Sequence, residues 1–121
     1  MTSTYTEAVR AATSADHQRA VAVALSQLLA EFPDLPTTHW TIPVPQLADD
    51  RMLYGHLQGA HETAEAFQVY VKALGGEVTS CAPSERCGRK VREHVLVAQW
   101  KGVRVDIQVI LPAAIDVEAA S

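Results

Sequence analysis

The chain has 121 residues, enough to bury one continuous core and too few for a second of ordinary size, so a single domain over residues 1–121 is expected. Hydrophobic residues make up 48% and charged residues 20%, a balance that excludes a disordered polyelectrolyte. Ten Lys and Arg stand against 14 Asp and Glu, a formal charge of −4, so the mean field does not attract polyanions and any nucleic-acid contact has to be local.

The opening MTSTYTEAVR lacks a basic region followed by an apolar one, so no secretory leader is expected. The apolar run Ala20 to Leu25 is far short of the roughly 18 residues a membrane-spanning helix needs. The expectation is a soluble, cytoplasmic protein without membrane contact. Cys81 and Cys87 are too few for a disulfide framework and read as thiols in a loop.

Residues 1–13 are small, polar and Ala-rich and form a loose or helical lead. From Ser14 to Phe32, Val21, Leu25, Leu28, Leu29 and Phe32 recur at helical spacing, which predicts a helix with one apolar stripe. Ser14 is the expected N-cap, and Pro33 and Pro36 end the helix. Over Thr38–Val44, Trp40, Ile42 and Val44 alternate with His39, Thr41 and Pro43, the pattern of a half-buried strand. Pro43 donates no ladder hydrogen bond, which places that strand at an edge. After a polar connection, Gln46 to Asp50, Met52–Leu57 reads as its hairpin partner.

A second helix is predicted over Gly59–Leu74, with Ala60, Ala64, Phe67, Val71 and Leu74 on one face. Lys72 in its last turn followed by Gly75 and Gly76 supplies the stop. A short strand, Glu77–Cys81, follows. The best-defined element is the hairpin of Val91–Trp100 and Val103–Ile110, joined through Lys101 and Gly102. A two-residue turn sets its register: Trp100 opposes Val103, Ala98 opposes Val105, Leu96 opposes Ile107 and His94 opposes Val109 on the core face. The other face pairs Gln99 with Arg104, Val97 with Asp106, Val95 with Gln108 and Glu93 with Ile110. Residues 112–121 carry no periodic pattern and read as a loose tail. This order predicts an α+β two-layer sandwich, an antiparallel-rich sheet of about five strands with two main helices on one face.

The chemistry-bearing residues are sparse. His56, His61, Cys81 and Cys87 are suitable zinc ligands by type, but the cysteine spacing is wider than C-x₂₋₄-C and the ligands come from three separate elements. No metal site and no cofactor is expected. Cys87 among Arg86, Arg89 and Lys90 has surroundings that favour a thiolate, yet no histidine is placed to act as its base. Asp49 and Asp50 read as turn residues, and Glu62 and Glu65 as solvated helix carboxylates. No glycine-rich phosphate loop is present, and the few aromatic residues form no base-stacking set. No catalytic residue is assigned.

Two surface features remain. The segment from Arg86 to Arg92 holds four cations, Arg86, Arg89, Lys90 and Arg92, a candidate contact for an anion or an acidic protein partner; a solvated loop entering an edge strand explains the same charges. Val95, Val97 and Ile110 interrupt an otherwise polar hairpin face and mark a candidate self-association surface, as does the exposed side of the first helix. The reading preferred from sequence is a small non-enzymatic binding or regulatory module acting through protein contacts, forming a homodimer and unlikely to bind nucleic acid. A small-molecule-binding domain, or an enzyme with a dispersed site, is the alternative.

Overall fold

The computed structural model describes residues 2–44 and 51–117, with side chains from Ala15 onward. Among the described residues there are two α-helices and a mixed, mostly antiparallel sheet of six strands, an α+β sandwich-like fold. Helix α1 spans Thr2–Glu31 and α2 spans Ala64–Leu74. The strands are β1 (His39–Thr41), β2 (Met52–His56), β3 (Glu77–Ser80), β4 (Ser84–Arg86), β5 (Arg89–Trp100) and β6 (Val103–Pro112). The sheet runs β1-β2-β6-β5-β3, with β4 paired to the start of β5.

Helix α1 passes through Ser14, so the expected N-cap is not where the helix begins. Ala8, Ala11 and Ala12 pay little to stay helical, and propensity extends the element toward the terminus. Val21, Ala24 and Leu28 are its buried stripe, while Leu29 is 43% exposed. The stripe is therefore rotated toward alanine, which lets α1 come close enough for the Trp100 indole N–H to donate to the Ala24 carbonyl at 3.0 Å.

The second helix starts later than its periodicity suggests. Gly59–His61 forms a 3₁₀ turn, and Thr63 then caps α2 by accepting a hydrogen bond from the Ala66 N–H at 3.1 Å. A side-chain acceptor for an orphan helix donor decides this boundary, and Ala60 is left exposed. Ala66, Phe67, Tyr70 and Val71 are buried.

The central hairpin has the register expected of its two-residue turn, from Trp100 opposite Val103 to Glu93 opposite Ile110. Lys101 and Gly102 both take positive φ, 48° and 78°, as the twist of a tight hairpin requires. Strand β1 pairs antiparallel with β2, but β2 then lies parallel to β6. Leu53, Leu57, Leu96, Ala98, Val103, Val105, Ile107, Val109 and Leu111 from the sheet join Val21 and Ala24 of α1 and Phe67, Tyr70 and Val71 of α2 in one buried cluster. Leu35 and Trp40 pack against its margin.

Two expected loops are ordered. Ser84–Arg86 turns back through Cys87 and Gly88 onto Arg89–Val91 as a second tight hairpin, so the basic segment is not a loop entering an edge strand. At the other end, Leu111 is buried, Ala113 N–H donates to the Lys90 carbonyl and Val117 packs against the core, so 113–117 is not loose. The connection 46–50 and residues 118–121 lie outside the described residues.

Candidate functional site

Strand alternation sends every second sheet residue to the face away from the buried cluster. Along one row of that outward face the pairings give His39, His56, Gln108, Val95 and Thr79; along the next they give Thr41, Tyr54, Asp106, Val97 and Glu77. Both rows cross the sheet from β1 to β3. A cleft of about 430 Å³ lies over them, lined by His39, His56, Tyr54, Glu93, Asp106 and Gln108 among others. Sequence reasoning did not find this cleft. Its two halves become neighbours only through the parallel β2–β6 pairing, which no local pattern announces.

The charged groups in and beside the cleft are largely engaged. Arg104 grips Asp106 with two parallel hydrogen bonds, Nε to Oδ1 at 2.9 Å and Nη2 to Oδ2 at 3.1 Å, the fork geometry that suits guanidinium and carboxylate. Those bonds, and the carboxylate charge behind them, hold the Arg104 guanidinium still more firmly protonated than usual. Gln108 Nε2 donates to Glu93 Oε1 at 2.6 Å. His39 and His56 face each other directly across β1 and β2, and neither has a hydrogen bond or ion pair among the described residues.

The support beneath this corner is tight. Tyr70 Oη donates to the Pro36 carbonyl and meets Thr38 Oγ1, both at 2.5 Å, which ties the start of β1 to α2. Burial pushes the Tyr70 phenol above its ordinary value, and the Thr38 hydrogen bond offsets part of that. Beside His56, Gly55 lies where a Cβ would come within 2.8 Å of Ile107 Cδ1 and Thr38 Cγ2 and 2.9 Å of the Trp40 ring. Only a residue without a side chain lets Trp40 seat there.

The structure separates the sequence-selected cations. Arg86 and Arg89 are directly opposite across the second hairpin, Glu85 faces Lys90, and all four are exposed. Alternation puts Lys90 and Arg92 on the other face. Arg92 is partly buried, with Nη1 3.7 Å from Asp116 Oδ1. Of the four, only Arg86 and Arg89 form a compact cationic pair, and neither has an ion-pair partner among the described residues.

Val95, Val97 and Ile110 all lie on the outward face and are half-buried by their neighbours. The exposed side of α1 contributes Val23, 53% exposed. Cys81 and Cys87 are exposed free thiols. Cys81 follows β3 and Cys87 sits in the second hairpin turn, whereas His56 is three strands away on β2; at about 4.8 Å per strand these groups do not converge. Among the described residues, no group of three or more His, Cys, Asp or Glu is placed to hold a metal.

Besides Tyr70, a histidine is fully inside. His94 is 1% exposed, its Nδ1 is 2.7 Å from Ser80 Oγ, and its ring lies 6.4 Å from that of Phe67. Nε2 is buried without a partner among the described residues. Loss of hydration, then the nearby Arg92 charge, hold the imidazole below its ordinary pKa, with Asp116 opposing. The hairpin register places His94 inward, but only the packing of Phe67 over it reveals how dry its site is. No family model, curated protein or solved structure matches this chain.

Proposed function

We propose that this chain is a small non-enzymatic binding module acting through protein contacts on the outward face of its sheet, with a second copy as its first partner. The observation that carries this reading is the set Val95, Val97 and Ile110, which share that face and stay partly exposed. A two-fold arrangement sets the same patch from each copy together, so one surface satisfies both. Full burial of each side chain from water contributes about 1.5 to 3 kcal/mol; because all three are already half-buried, the gain per copy is roughly 2 to 4 kcal/mol in total. Association costs about 4 kcal/mol or more before any contact is counted. The dimer is accordingly weak and needs contributions from the polar neighbours.

Light scattering on a concentration series into the high micromolar range tests it. The wild type is expected to dimerise and a Val95→Lys, Val97→Glu double variant to remain monomeric. A wild type monomeric throughout overturns the homodimer; a dimer indifferent to the double substitution moves the interface elsewhere, with the exposed side of α1 next in line. For an acidic protein partner, the exposed Arg86–Arg89 pair is the proposed contact, and replacing both by Ser is expected to abolish that binding.

The cleft favours a second reading, a small-molecule-binding domain or an enzyme with a dispersed site. Its volume of about 430 Å³ suits a small ligand, and imidazoles, carboxylates and a phenol converge on it. Native mass spectrometry of untagged protein from its own host distinguishes the two: a retained small molecule supports the second reading, and a protein complex free of one supports the first.

A further inference from the structure

His39 and His56 are directly opposed residues on neighbouring antiparallel strands, both on the outward face and both lining the same cleft. Side chains in that relation start from Cβ atoms about 4.5 to 5.5 Å apart. A tetrahedral ion bound by two imidazole nitrogens at about 2.0 to 2.1 Å requires those nitrogens to lie roughly 3.3 Å apart, a separation within reach by side-chain rotation alone. Neither ring has to leave a hydrogen bond or ion pair among the described residues to turn toward the other. The backbone that carries them is braced, on the β1 side by the Tyr70, Thr38 and Pro36 network and on the β2 side by pairing with β6. Preorganised strands spare a chelate the entropy of bringing its ligands together.

The other histidines do not offer this. His17 Nδ1 accepts from Arg51 Nε at 2.9 Å, His94 is buried against Ser80 and Phe67, and His61 stands on the exposed 3₁₀ turn. Among the described residues, the carboxylates lining the cleft are also spoken for, Asp106 by Arg104 and Glu93 by Gln108, so the proposed first ligands are nitrogen alone. Imidazole suits zinc, nickel and copper, whereas magnesium and calcium demand oxygen.

We propose that His39 and His56 form a two-imidazole chelate for a divalent first-row transition-metal ion, leaving its remaining coordination positions open toward the cleft. The two ligands are not among the residues proposed for self-association, but the cleft they open onto is also lined by Val95, so the titration is run on protein dilute enough to be monomeric.

Calorimetric titration of the full chain with zinc tests it. One ion per chain is expected, with affinity reduced at least tenfold in His39→Gln and again in His56→Gln, unchanged in His61→Gln and in a Cys81→Ser, Cys87→Ser double variant, and no binding of magnesium. Substoichiometric copper added to the wild type should broaden the ring resonances of His39 and His56 before those of the other histidines, a readout that needs no variant to fold. Absence of zinc binding at millimolar concentration, binding that survives either His→Gln change, or broadening led by His17 or His61 would overturn the site.

Discussion

Acidification should weaken this fold through His94, and the size of the loss is bounded by its burial. The ring is 1% exposed, one nitrogen is committed to Ser80 and the other has no acceptor among the described residues. Protonation would add a charge and an N–H donor with nothing placed to receive it. The folded-state pKa therefore lies below the unfolded value of about 6.5, as loss of hydration and Arg92 dictate. A depressed histidine contributes its full stability above the unfolded value. Between about 6.5 and the lower folded value the unfolded chain binds more protons, so stability falls as pH falls, and below both values the loss levels off. The slope cannot exceed about 1.4 kcal/mol per pH unit for one group. At pH 5.5 that caps the loss at roughly 1.4 kcal/mol. Urea unfolding at pH 7.5 and 5.5, on the wild type and on His94→Leu, measures it: the wild type should lose more than the variant between the two pH values, by at most about 1.4 kcal/mol. Equal losses in both proteins would refute the buried neutral imidazole as the acid-sensitive group.

Leu96 and Phe67 are fully buried in the shared cluster, so Leu96→Ala or Phe67→Ala should each cost about 2 to 5 kcal/mol by chemical denaturation; a midpoint unchanged in both would reject the core. Gly55→Ala forces a Cβ against Ile107, Thr38 and Trp40 and should cost about 1 to 3 kcal/mol through overpacking, seen as a lower melting temperature and perturbed Trp40 fluorescence. If neither cysteine holds the fold together through metal, a strong chelator should leave the circular dichroism spectrum unchanged while a thiol reagent labels Cys81 and Cys87 in the native state, and unfolding on chelation would contradict this.

Periodicity and turn chemistry determined much of this protein locally. A two-residue turn leaves the hairpin only one register, so the inward row from His94 to Trp100 and the outward placement of Val95, Val97 and Ile110 were legible residue by residue. The helical spacing of Phe67 and Val71, and the glycines after Leu74, likewise marked α2 and its end. Boundaries that depend on a single capping atom were less legible. Thr63 outcompetes the longer periodic pattern because its hydroxyl satisfies the Ala66 N–H, and α1 begins before Ser14 because alanines extend a helix at little cost. The short strand β4 was hidden because charge made Ser84–Arg86 look like solvated loop, and only its pairing with Arg89–Val91 declares it. The outward cleft was beyond reach of local pattern altogether. The pairing of the strands that carry His39 and His56 was expected, but not its register, and Glu93, Asp106 and Gln108 join them only because β2 lies parallel to β6. Such long-range pairing is selected by burial of the whole inward face, a free energy that belongs to the assembled sheet and to no segment of the chain by itself.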